Sequence, residues 1–226
     1  MTLEVALRAT ELLLALAFLQ QSAEHIFGHR DRLLFAPRAG LSLLLLAGIH
    51  SPWVLLALTA HSMLILRRYQ GPYNGGSDRM GLLILFCLCL AYWLPDGLPT
   101  EAAFGYLAVQ VLLSYLISGQ VKLANPDWRN GRALQDVFRF SAYPVAESLR
   151  ALANRPRVLW CASWVVMIFE VLFPISLLNL KLLVMALIAA TAFHVANAML
   201  FGLNRFVWAW IAAYPSIIWL QFRLFP

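Results

Sequence analysis

The sequence predicts an all-α fold, a polytopic membrane helix bundle, and two observations carry that reading. The composition is 62% hydrophobic and only 12% charged, with eight Trp and fourteen Phe, where a soluble domain carries roughly a quarter charged residues. Long apolar runs also recur from end to end, bounded by arginines. In hydrocarbon every backbone N–H and C=O must find its partner inside the protein, which favours helices as spanning elements. We expect a single transmembrane domain over residues 1–226, with about eight transmembrane helices.

The first helix is expected from Glu4 to Glu24, with Glu11 facing the bundle interior. No cleavable signal is expected, because the run carries Glu4, Arg8 and Glu11 and lacks a small-residue cleavage motif. His25, His29, Arg30 and Arg32 follow as a short polar loop. Leu41 to Ile49 and Trp53 to Leu66 read as two short helices joined at Ser51-Pro52, a stop and restart. Each falls short of the roughly 20 residues needed to cross alone. The loop YQGPYNGGSD, dense in Gly, Pro and Asn, reads as a shaped turn. A fourth helix is expected from Met80 to Leu94 and a fifth from Glu101 to Leu123.

Ala124 to Arg157 is the one long polar stretch, and it holds six arginines. Ala133, Leu134, Val137 and Phe138 form a helical apolar face there, as do Val145, Leu149 and Leu152. Such pieces suit an amphipathic interfacial segment between helices 5 and 6. Helices six, seven and eight are expected over Val158–Leu177, Leu182–Leu203 and Phe206–Phe222.

Eight spans sort the charge well. Arg30, Arg32, Arg38, Arg67, Arg68, Arg79, the six arginines from Arg129 to Arg157, and Arg205 share one side, thirteen against Arg8, Lys181 and Arg223. The positive-inside rule makes the rich side cytoplasmic, so the expected location is a cell membrane, the inner membrane if the source is bacterial. Spread over loops in this way, the positive charge assigns topology and gives no patch for nucleic acid. Cys87, Cys89 and Cys161 all fall in expected spans, and the five histidines show no ligand spacing, so no metal site is expected.

Intramembrane polar residues mark the candidate site. Gln110, Ser114, Ser118 and Lys122 recur at spacing four and form one stripe along helix five. Glu170 lies in an apolar run four residues before Pro174, and a buried carboxylate needs a partner, with His194 or a loop arginine expected in that role. His194 and Asn197 are neighbours on one face of helix seven. His61 lies within helix three.

The segment YLISGQVKLANPDWRNG, Tyr115 to Gly131, resembles the lysine-bearing motif of vitamin K-dependent γ-carboxylases and their bacterial relatives, which share the horizontally transferred transmembrane (HTTM) domain. FHVANAMLFGLNRF, Phe193 to Phe206, is similar to a second motif of that family. YNGGSDRMGLL, Tyr73 to Leu83, is similar to its Asn-containing turn. The resemblance implies a reduced quinone bound beside Lys122, which acts as base for chemistry with dioxygen, carboxylation or epoxidation included. An amine withdrawn from water can take up and give back a proton near neutral pH. It further implies Asn74 hydrogen-bonding the quinone or an oxyanion, with His194 and Asn197 in support or ligand contact. The residues themselves add Glu170 as a proton-handling candidate, Ser118 from the polar stripe, and Asp78 two residues after Gly76. The family carries a histidine where this chain has Gly76. The chain ends soon after helix eight, so a short member is expected, with substrate supplied through a separate soluble or membrane partner. A non-catalytic membrane subunit, lipid-binding scaffold or small transporter is the competing reading.

Overall fold

The computed structural model describes residues 1–28, 31–68, 75–140 and 147–225. Among them run α1 (Leu3–Phe27), α2 (Arg32–Ala47), α3 (Ser51–Arg68), α4 (Gly75–Trp93), α5 (Leu98–Ala124), α6 (Pro126–Arg129), α7 (Arg132–Phe140), α8 (Glu147–Arg150), α9 (Pro156–Leu172), α10 (Leu180–Phe201) and α11 (Asn204–Leu224). Ala151–Asn154 and Phe173–Leu178 are 3₁₀ turns, and no strand is present among the described residues. Every expected long helix is present. The chain divides into two compact units, residues 1–109 with 205–226 and residues 110–204, the boundary falling within α5.

In the first unit, α1 opens with Thr2 accepting from the Val5 N–H, a Ser/Thr cap of the usual kind. Its inward Glu11 is fully buried, and Arg8 Nη1 compensates it at 2.6 Å. The same guanidinium donates to the carbonyls of Leu45 (2.9 Å) and Leu46 (2.6 Å), satisfying the C-terminal end of α2. The chain then reverses through Gly48 (φ 72°) and His50 (φ 47°). Helix α3 restarts at Ser51-Pro52, where a proline's missing N–H is harmless. One expectation is corrected here: α2 begins at Arg32, not Leu41. Phe35, Arg38, Ser42 and Leu45 form its buried face, so Arg38 is a helical interior residue and not a loop charge. His61 Nε2 meets the Leu34 carbonyl at 2.7 Å and ties α3 to α2.

In the second unit, α5 ends at Asn125, whose side chain accepts from the Asp127 N–H and starts α6. The turn is pinned to α9: Ser163 Oγ donates to the Trp128 carbonyl at 2.6 Å and Trp164 Nε1 to the Arg129 carbonyl at 3.1 Å. Gly131 lies there at φ 80°, and a Cβ would stand 2.9 Å from the Trp160 Cα, so both conformation and space require glycine. Helix α7 turns Phe138 inward against Ala153, Leu159 and Phe201. Pro174 ends α9 at Leu172, short of the expected Leu177, by tightening the chain into the 3₁₀ turn.

Among the described residues, four helices are long and apolar enough to cross a bilayer: Gly76–Trp93, Leu98–Ala124, Pro156–Leu178 and Leu180–Phe201. The protein is an integral membrane protein.

Candidate functional site

Five of the seven expected site residues belong to the second unit. Lys122 lies in the last turn of α5, its side chain 17% exposed. Its Nζ donates to Glu170 Oε2 at 2.6 Å, to Glu170 Oε1 at 2.8 Å and to Ser118 Oγ at 2.6 Å. Ser118 Oγ in turn donates to Glu170 Oε1 at 3.2 Å. The partner of Glu170 is thus Lys122, and not His194 or a loop arginine as expected. Spacing along one helix tells which residues share a face, but not which residue of a distant helix meets them. Within the stripe, Ser118 and Lys122 work together, whereas Ser114 Oγ turns back to the Val111 carbonyl.

Glycine makes the pairing possible. A Cβ on Gly119 would lie 2.7 Å from Val171 Cγ2, 2.8 Å from the Val171 nitrogen and 3.0 Å from Glu170 Cβ. Helices α5 and α9 therefore touch backbone to backbone beside the ion pair.

His194 is buried, and its Nε2 meets Tyr115 Oη at 2.9 Å. The Tyr115 ring stacks on Phe173 with centroids 4.0 Å apart. Sequence reasoning assigned Tyr115 no role, although it opens the lysine-bearing segment. Trp128, equally unassigned, places its ring 5.3 Å from Lys122 Nζ, within range for a cation–π contact.

Beside the ion pair lies a cavity of about 500 Å³ whose wall includes Lys122, Trp128, Leu134, Phe138, Phe193 and Asn197. The rest of its wall is aliphatic or aromatic. Lys122 and Asn197 bring the polar groups, and the Asn197 side chain makes no hydrogen bond among the described residues. A largely apolar cavity with a few converging polar groups is how small-molecule sites are generally built.

Two expected residues lie elsewhere. Asp78 belongs to the first unit, buried, its Oδ1 accepting from Gln21 Nε2 at 2.9 Å. Asn74 falls outside the described residues. Gly76 faces the Phe206 ring: a Cβ would lie 2.8 Å from Phe206 Cζ.

The HTTM domain model matches residues 101–221, more than half of the sequence. The chain belongs to the HTTM family. No curated protein and no solved structure matches it. The HTTM match contains Ser118, Lys122, Glu170, His194, Asn197 and the whole cavity wall.

Proposed function

We propose that this HTTM protein binds a quinone or hydroquinone-type isoprenoid lipid in the apolar cavity and performs proton or redox chemistry on it at Lys122. The observation that carries the reading is a lysine, hydrogen-bonded on three sides, at the wall of an otherwise apolar cavity of ligand size. The residues suit such a lipid. Phe138, Phe193 and Leu134 offer apolar wall to a ring and tail, and Asn197 offers an uncommitted amide to a ring oxygen. Because Glu170 already neutralises Lys122, the ion pair favours a neutral hydrogen-bonding head over an anionic one.

When bound, a hydroquinone supplies two exchangeable protons and two electrons. The chain's part is proton handling. Hydrogen bonds of 2.6 and 2.8 Å join the Lys122 ammonium to the Glu170 carboxylate, so Nζ can hand one proton to Glu170 and, once neutral, take one from a hydroquinone hydroxyl. Ser118 hydrogen-bonds both partners, and the Trp128 ring lies 5.3 Å from the Lys122 ammonium. Arginine in place of lysine could not give up its proton at useful pH. Carboxylation or epoxidation, and a partner chain presenting a further substrate, are the finer forms of this reading. We place the protein in a cell membrane, bacterial inner membrane by family resemblance, with eight spans and with α6, α7, α8 and Ala151–Asn154 lying at headgroup depth.

The test is mass spectrometry of organic extracts from detergent-purified wild type and Lys122→Met/Glu170→Gln, a variant that leaves no buried charge unpaired. We expect close to one quinone per wild-type chain and loss of it in the variant, with the melting temperature nearly kept. A wild type that carries none, or a variant that keeps it all, sinks the proposal.

A further inference from the structure

We propose that Arg129, Arg132, Arg139, Arg155 and Arg157, on α6, on α7 and at the start of α9, form a cap, a docking surface for anionic phospholipid headgroups, which holds α7 down over the cavity. The inference rests on the interfacial placement argued above. Helix α7 is the most strongly amphipathic of the long helices. Its apolar residues Leu134, Val137 and Phe138 form part of the cavity wall. On its other side, the Arg150 guanidinium donates to the Arg139 carbonyl at 3.0 Å, and most of the arginine side chains have no protein partner among the described residues. Arg129, Arg139, Arg155 and Arg157 are exposed, and their side chains make no hydrogen bond or ion pair among the described residues. Arg132 reaches Asp136 only at 3.6 Å, with its side chain 70% exposed.

Large apolar side chains are exposed among these guanidinium groups. Phe140 is 71% exposed, Val158 56% and Trp160 47%. A water-facing surface gains nothing from that mixture. At the level of lipid headgroups both halves are satisfied: rings and aliphatic groups reach the acyl boundary, and guanidinium groups meet phosphate in paired hydrogen bonds. Clusters of four to eight basic residues beside the end of a transmembrane helix recognise anionic lipid. The sign of the charge chooses the lipid. From α6 to Arg157 the sequence has six arginines against Asp127, Asp136 and Glu147, so the net negative phosphatidylglycerol offsets the excess, which a net-neutral zwitterionic headgroup does not.

The experiment titrates the detergent-solubilised full chain with phosphatidylglycerol and with phosphatidylcholine of identical acyl chains and counts bound lipid by native mass spectrometry. Three proteins are compared: wild type, Arg139→Gln/Arg157→Gln, and Arg67→Gln/Arg68→Gln, which removes two arginines from the first unit. Wild type should prefer phosphatidylglycerol, and the cap variant should lose about fivefold of that preference per arginine removed. The first-unit variant should keep it, and phosphatidylcholine counts should stay level throughout. No preference in wild type, or an equal loss in both variants, overturns the proposal. If the double cap variant melts early, Arg157→Gln alone carries the test, since the Arg157 side chain makes no hydrogen bond or ion pair among the described residues. Quinone is counted in the same wild-type sample: its absence would count against the cavity reading alone, and leave the lipid result standing.

Discussion

Each unit buries a basic side chain, and the two are treated in opposite ways. In the first, Arg38 is 2% exposed, its guanidinium carbon 3.8 Å above the Phe18 ring, and its Nε and Nη1 have no hydrogen-bond partner among the described residues. The small cavity in that unit, between Phe18, Gln21, Asp78 and Arg205, holds about 10 Å³, room for one water at most. In the second unit, Lys122 donates to both Glu170 oxygens and to Ser118, and it faces a cavity of about 500 Å³. Unmet hydrogen bonding therefore does not mark the site. Chemistry needs a group that can exchange its proton at useful pH, and a guanidinium cannot.

The sharpest way to break that comparison is to separate charge from shape at the second-unit pair. Glu170→Ala leaves Lys122 without its counter-charge in a largely apolar setting, and removing one partner of a buried pair costs about 3–5 kcal/mol. Lys122→Met/Glu170→Leu removes both charges and refills the volume, so most of the stability should return while quinone binding stays lost. Thermal unfolding in one detergent would show both effects. If the double variant were as unstable as the single one, the pair would be acting through its geometry and not its charge.

Next in size is the close approach of α5 to α9. Gly119→Ala pushes a methyl into the Val171 backbone and Glu170 Cβ, an overpacking that costs about 1–3 kcal/mol. It should also lengthen the Lys122–Glu170 contact and lower quinone content. The control lies on the same helix in the first unit. A Cβ at Gly105 would come no closer than 3.6 Å, to the Trp219 ring. Gly105→Ala should therefore leave the melting temperature unchanged or slightly raised. Equal losses for the two variants would mean that helix propensity, and not the contact, governs both positions.

The helices were legible because hydrocarbon leaves a strong signature, a run of apolar residues stopped by Gly, Pro or Arg. The same signature misled at α2, where Arg32 and Arg38 suggested loop, although Phe35, Arg38, Ser42 and Leu45 already lie at helical spacing. Charge argued for solvent; the fold buried Arg38 against Phe18. Lys122, Ser118, Glu170, His194 and Asn197 were legible one at a time as polar groups in apolar surroundings. Their partners were not. Tyr115 with His194, and Lys122 with Glu170, join residues far apart in the chain, and local periodicity holds no record of such contacts. Gly119 was in plain view within the segment YLISGQVK, yet only the position of Val171 gives that glycine its reason.

The smallest effect separates the units by pH. His25, beyond the first proposed span, stacks on Phe35 with ring centroids 3.7 Å apart. Its Nε2 lies 2.8 Å from Arg205 Nη2, which can only donate, so that nitrogen must be unprotonated. Burial first, and the Arg205 charge second, hold the His25 imidazole below its ordinary range. A histidine whose folded pKa is lowered stabilises the fold above its unfolded pKa of about 6.5, and that contribution is lost as pH falls through it. Melting temperature should therefore drop slightly between about pH 7.5 and 5.5. His25→Gln can still accept from Arg205 through its amide oxygen but carries no proton to gain. In that variant the drop should shrink. A variant that loses as much as wild type would place the pH sensitivity elsewhere and return His25 to plain packing against Phe35.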